Sequence, residues 1–270
     1  MYIKQSDAHF SNAPPVVLCF SGLDPSGGAG IQADIETLAS IGCHCAPIIT
    51  TLTAQDTCNV QDTHPVPAPF LIEQARIILA DMPVRAFKLG LIGSIAQVEA
   101  IHTIIKDYPH IPVIFDPIIR AGGGCLLTEN NVIEAIENLI LPWTFICTPN
   151  TDEAKKLSSQ ADSIEACAHE IIAKGAEAVL ITGTHDNTSK VVNRLWHGKK
   201  QLLLCEWDRL EGHYHGSGCT LASSLAGYIA HGMDLVTAAR EAQNFTWKSL
   251  KSARSLGKGQ LIPNRLFWSK

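Results

Sequence analysis

Short apolar runs alternate with stretches whose apolar residues recur every three or four positions, and this alternation repeats along most of the chain. Val16 to Ser21 reads as a buried strand that runs into the glycine-rich turn Gly22-Leu23-Asp24-Pro25-Ser26-Gly27-Gly28-Ala29-Gly30. Ile31, Ile35, Leu38 and Ile41 then fall at helical spacing, with Ile35 expected to face the core. The pattern predicts a strand over Ala46 to Thr51, a polar turn around Gln55-Asp56, and a helix from Phe70 that ends before Pro83. Ala86 to Leu89 and Pro112 to Asp116 read as core strands, with a helix carrying Ile95, Val98, Ile101 and Ile105 between them. A helix over Asn130 to Leu139 leads to a strand over Thr144 to Thr148, a helix after Pro149-Asn150 and another from Ser163 to Lys174. Beyond a strand over Ala178 to Thr182, the period changes. Lys190 to Trp196 and Gln201 to Glu206 flank His197-Gly198, which predicts a hairpin. Two more helices follow, one after Gly216-Ser217-Gly218 and one from Leu235 to Ser252.

Strand-then-helix units of this kind predict an α/β fold: a mostly parallel sheet between helices, with one small hairpin. No Pro/Ser-rich linker or compositional break divides the chain. A flexible extension over residues 1–14 and a single domain over 15–270 are therefore expected.

Composition narrows the functional classes. With 46% apolar and 17% charged residues, a packed core is within reach; a net charge of -5 without a basic cluster argues against nucleic acid as a partner. The longest apolar stretches are too short to span a bilayer, and the first residues lack a secretory pattern, so no membrane partner is expected. Nine cysteines, an odd number with no Cys-x-x-Cys pair, read as free thiols in a reducing, cytoplasmic setting.

In an open parallel sheet, ligands bind beyond the carboxyl ends of the strands, where the glycine turns fall. Gly216-Ser217-Gly218-Cys219-Thr220 heads a predicted helix, whose unpaired amides form a cradle for an anion. Cys219 at that positive end is expected to have a lowered pKa and to be able to take a proton from a hydroxyl; it also fits a purely packing role. Asp116 closes a buried strand before Pro117, which suits a functional carboxylate. Asn150 and Glu153 fit both a helix capping box and a pair that orients water on magnesium. Asp34 is either a solvated helix acid or a ligand acceptor. His213 and His215 read as loop histidines, because no acid or cysteine stands near them at metal-ligand spacing.

SGLDPSGGAGIQAD, TAQDT, KLGLIGS, FDPII, TPNTDEA, AVLITGTHD and HGSGCTLASSLA occur in that order. On these motifs the chain resembles the hydroxymethylpyrimidine and phosphomethylpyrimidine kinases of thiamine biosynthesis. The resemblance implies a ribokinase-like three-layer fold and transfer of phosphate from ATP, with Mg2+, to a pyrimidine alcohol and then to its monophosphate. It implies that Gly22, Ala29, Asp34, Gln55, Leu91 and Ile118 border the pyrimidine. It also implies that Cys219 is the base and that Gly216 and Gly218 shape the anion hole. Asp116, Asn150, Glu153, Thr182, Gly183, Gly216 and Ser217 would then serve the nucleotide, with Asp116 and Glu153 toward the metal. Homodimers are common in that family.

Two departures stand out. The family's usual Met-Lys-Gly-Gly-His is Ile181-Thr182-Gly183-Thr184-His185 here, and its Ala-Lys-Ser-Gly is replaced after Arg120 by Ala121-Gly122-Gly123-Gly124. Both remove a lysine from the phosphate side, where electrostatic positioning supplies much of the catalysis. Pyridoxal kinase and a noncatalytic pyrimidine-binding regulatory protein are the alternative readings.

Overall fold

The structure is a computed structural model that describes residues 13–120, 124–125, 127–184, 186 and 188–269. Most of the expected 1–14 extension, the stretch 121–123 and His185 lie outside the described residues.

Nine strands form one sheet in the order β3-β2-β1-β4-β5-β6-β7-β8-β9. Its centre is β1 (Val16–Leu23), β2 (His44–Gln55), β4 (Val84–Leu89), β5 (Val113–Phe115), β6 (Ile146–Cys147) and β7 (Ala178–Ile181), all mutually parallel. Strand β3 (Val60–Pro65) pairs antiparallel with β2 at one margin, and β8 (Lys190–His197) with β9 (Lys200–Asp208) completes the other. The fold is the ribokinase-like α/β architecture expected from the motifs, with a second hairpin, β2–β3, that the apolar pattern did not show. Its turn is held by Asp56, whose Oδ1 accepts the amides of Cys58 at 2.7 Å and Asn59 at 2.9 Å.

The central strands are apolar on both faces because both are covered. Val16, Leu18 and Phe20 point to a core shared with α2 (Ala68–Asp81), α3 (Ile95–Asp107), α4 (Asn130–Leu139), α5 (Thr151–Leu157) and α6 (Ile164–Ala173). Val17 and Cys19 point to the opposite core, under α1 (Gly30–Ser40), α7 (Ser217–Ala230) and α8 (Leu235–Lys251). Burying such strands on both sides is the main source of stability in a doubly covered sheet. Local signals set the helix starts: Ser94 accepts the Gln97 amide at 3.3 Å, and Asp234 accepts those of Val236 and Thr237. Cys19, Cys43, Cys45, Cys58, Cys147, Cys167, Cys205 and Cys219 are free thiols, and among the described residues no helix is long and apolar enough to cross a membrane.

Candidate active site

A cleft of about 1400 Å³ opens beyond the carboxyl ends of β1, β2, β4, β5, β6 and β7. One end is walled by the glycine turn after β1, by Gln55 from β2 and by Leu91 after β4; the other by Thr182, Trp207 and Trp247. The head of α7 also lines the cleft.

Asp24 shapes the glycine turn. Its carboxylate accepts the Ser26 amide at 2.8 Å, the Ala29 amide at 2.8 Å and the Ser26 hydroxyl at 3.0 Å. His215 Nε2 lies 2.7 Å from Asp24 Oδ2, and Gln55 Nε2 lies 3.4 Å from the same ring nitrogen. Burial alone would raise this carboxyl's pKa, yet His215, Gln55 and Ser26 together hold it well below the usual range. The turn closes on itself at Gly30, where φ is 58° and a Cβ would lie 2.2 Å from the Gly22 carbonyl oxygen, so only glycine fits.

At the head of α7, Gly216 has φ 77° and faces the Gly28 carbonyl, 2.0 Å from where a Cβ would stand. The next turn presents Cys219 toward Asp116, whose carboxylate also faces Gly218: a Cβ there would fall 3.6 Å from Oδ1. Asp116 Oδ2 is buried and has no hydrogen-bond partner among the described residues. Burial, with Asp34 adding, raises the Asp116 pKa to about 6 against the pull of Lys88 and Cys219. Glu153 stands beside it; burial and the Asp116 charge push its carboxyl up to about 8, while the Asn150 and Ile119 amides oppose the rise. Asn150 Oδ1 accepts the Glu153 amide at 2.9 Å, and Glu153 Oε2 accepts the Asn150 amide at 2.9 Å. The capping box is therefore real, and it also fixes both side chains on the cleft wall. An open carboxylate oxygen beside a second carboxyl fits a divalent cation that keeps several waters; no group of three or more metal-ligating side chains occurs among the described residues.

Residues 24–264 match the family model described as phosphomethylpyrimidine kinase. The chain belongs to that family. It is 32% identical over 247 residues to a thiamine biosynthesis bifunctional protein of Geobacter sulfurreducens, covering 90% of this chain and 50% of that one. The chain thus spans about half the length of such bifunctional relatives. It is also 32% identical to a hydroxymethylpyrimidine/phosphomethylpyrimidine kinase of Synechococcus elongatus, over 92% of this chain and 96% of the relative. Among solved structures, a pyridoxal kinase from Staphylococcus aureus in complex with pyridoxal superposes with TM-score 0.86 at 25% identity, covering 96% of each chain.

Of the family-implied positions, Gly22, Ala29, Gln55, Leu91 and Ile118 all line the cleft. Asp116, Asn150, Glu153, Thr182, Gly216, Ser217, Gly218 and Cys219 face it around and beyond the α7 head. Three expectations need correction.

Asp34 does not border the cleft: it is fully buried, with Lys88 Nζ 2.9 Å from Oδ1. Ser21 and Ser223 also donate to its carboxylate. Its helical face was misassigned. Ile31, Asp34 and Leu38 form the inward stripe of α1, whereas Ile35 is 37% exposed. Gly183 is turned away from the cleft. Its amide donates to Asn193 Oδ1 at 3.1 Å, and a Cβ there would meet the Val192 carbonyl at 2.5 Å. Finally, the Cys219 pKa is not lowered. Burial pushes it up to about 12, opposed by Lys88 and the Gly30 amide and reinforced by Asp116 and Asp34.

Sequence reasoning missed Lys88, Asp24 and His215. Lys88 hid inside a buried stretch of β4, and the needed signal was its pairing in space with the equally buried Asp34. His215, read as a loop histidine, is buried against Gly28 and bonded to Asp24.

Proposed function

We propose that the chain transfers the γ-phosphoryl group of ATP to the hydroxymethyl oxygen of 4-amino-5-hydroxymethyl-2-methylpyrimidine, and then to the monophosphate so formed. The observation that supports this reading is that Cys219 and the α7 head line the same cleft as the glycine turn, Gln55 and Leu91 and as the carboxyls of Asp116 and Glu153, with Gly218 close to Asp116. The amide of Gln55 suits an aminopyrimidine edge, since one side of it donates and the other accepts. Trp207 and Trp247, with ring centroids 6.1 Å apart, give the far end of the cleft flat surface for an adenine base.

On this reading the alcohol oxygen forms its bond to the γ-phosphorus as the bond to the β-phosphate oxygen breaks and ADP departs. The hydroxyl proton passes to Cys219 Sγ. In the substrate-free chain that sulfur is a thiol at neutral pH, so its own proton leaves to solvent first; Lys88 and the Gly30 amide favour the resulting thiolate. Amides at the α7 head stabilise the charge that gathers on the transferring group. Magnesium bound at the open oxygen of Asp116 and at Glu153 would supply positive charge that offsets both carboxylates and the phosphoryl oxygens.

Phosphorylation of pyridoxal is the second reading, supported by the likeness to the Staphylococcus aureus pyridoxal kinase. Steady-state assays with each alcohol and with the pyrimidine monophosphate, reading product mass, test the proposal. A higher kcat/KM for pyridoxal would replace it. Binding of the pyrimidine with ATP consumption no higher than in an enzyme-free control would leave the noncatalytic alternative.

A further inference from the structure

After α8 the chain folds back across the site. Ile262 and Arg254 exchange backbone hydrogen bonds at 2.9 Å. The Leu261 amide donates to the His213 carbonyl at 2.8 Å, and its own carbonyl accepts the His215 amide at 2.9 Å. The Gln260 amide reaches the Thr57 carbonyl at the tip of the β2–β3 hairpin, at 2.8 Å. One segment is therefore tied both to the stretch that precedes α7 and to the tip of the β2–β3 hairpin.

That segment ends in a buried arginine. The Arg265 side chain is 0% exposed and is paired at 3.1 Å with Glu36, itself 32% exposed. Nε donates to Thr220 Oγ1 at 3.0 Å, Nη1 reaches the Gly27 carbonyl at 3.4 Å, and Nη2 donates to the Gly28 carbonyl. Thr220 in turn donates to the Gly216 carbonyl at 2.8 Å. The Gly28 carbonyl thus has the guanidinium on one side and the Gly216 backbone on the other, at the seam where a Cβ would clash at 2.0 Å.

We infer that Arg265 is a positioning residue for phosphoryl transfer: its guanidinium fork sets the separation between the glycine turn that holds the alcohol and the α7 head that holds the transferring phosphoryl group. Packing alone does not require an arginine here, because a buried ion pair can often be replaced as a whole by well-packed apolar residues without loss of stability. What an apolar group cannot do is hold two loop carbonyls and a helix hydroxyl at fixed angles, which the planar fork does. A seam that drifts by about 1 Å costs on the order of 100-fold in rate, since reacting atoms must meet at near-contact distance.

This inference rests on the proposed kinase reading and is tested separately from it. Arg265→Met and Arg265→Lys are compared with the parent at a temperature where circular dichroism shows each fully folded. The expected result is a kcat loss of about 100-fold for Met and a smaller loss for Lys, with KM for ATP within about twofold of the parent. Amide hydrogen exchange across residues 26–30 and 216–220 should rise in both segments while the central strands stay protected. A folded Arg265→Met with parental kcat, or unchanged exchange in the two segments, overturns the assignment. If the Met variant does not fold, the Lys variant decides on the same readouts. Should the parent prefer pyridoxal, the kinetic comparison is made on that alcohol. Should it phosphorylate neither, the kinase reading fails and the role of Arg265 in phosphoryl transfer falls with it.

Discussion

Replacing Glu153 with Gln isolates the energetic cost of keeping an acid in the cleft wall. Burial and the neighbouring Asp116 raise its pKa from 4.5 to about 8 in the folded chain. Between those values the folded protein keeps a proton that the unfolded chain has already released. The associated stability is therefore complete below pH 4.5 and is lost as pH rises through about 8. At about 1.4 kcal/mol per pH unit, that interval amounts to a ceiling of about 5 kcal/mol. Residual exposure and screening by solvent bring the expected value to about 2–4 kcal/mol. Glutamine preserves an oxygen for the Asn150 amide, now accepted at 2.9 Å, but carries no titrating proton. Urea unfolding of the substrate-free protein at pH 5, 7 and 9 provides the assay. Groups that titrate alike in both proteins cancel in the difference. At pH 5 the two curves should agree within about 1 kcal/mol; at pH 9 the variant should be the more stable by about 2–4 kcal/mol, while turnover falls. A stability difference that stays flat across this range would refute the reasoning.

Cys219→Ala should leave pyrimidine affinity nearly intact and depress kcat by about 10²–10⁴-fold; equal turnover at saturating substrates would remove its role as base. With its thiol buried and pushed up to about 12, iodoacetamide at neutral pH should label exposed Cys58 well before Cys219, as read by peptide mass spectrometry. Lys88→Met should cost about 3–5 kcal/mol because it leaves Asp34 charged and unpaired in the core. The double variant Lys88→Met/Asp34→Leu should regain at least about 1 kcal/mol in denaturant unfolding, and no recovery would dismiss the pair as the cause.

The parallel core was legible because its strands are apolar on both faces and its helices carry a clear stripe. Strand β3 was not. In Val60 to Pro65 only Val60 is buried, so the segment has no apolar alternation to detect, and its pairing depends on the Asp56 turn and on β2. Helical periodicity also placed α1 correctly but rotated it: an acid at the inward position looks like a surface residue until its buried partner is known. The glycine turns were visible as turns, whereas their conformations follow from close approaches across the fold, such as Gly216 against Gly28. The Cys219 error has the same origin. A helix head lowers a thiol pKa by local geometry, but burial and two carboxylates brought by β5 and α1 outweigh it, and those are long-range facts.

The missing phosphate-side lysines change how the site must handle charge. Thr182 stands on the cleft wall where the family usually carries lysine. Among the cations that remain there, Arg209 gives Nε to the Thr188 carbonyl at 3.0 Å and its two terminal nitrogens to those of Thr184 and Asp186 at 2.8 Å each. It serves the loop more than a ligand. Arg120 and Lys156 also face the cleft but are exposed, where water and salt weaken their pull on a phosphate. The buried positive charge around the α7 head is that of Lys88 and Arg265, together with the amides of the helix start. Lys88 is already half-committed to Asp34. What remains is the buried charge of Asp116, which together with burial pushes the neighbouring Glu153 carboxyl up to about 8. A divalent cation arriving with the nucleotide would release that strain on binding. A metal held there would take on part of the electrostatic work that a side-chain lysine does elsewhere in the family.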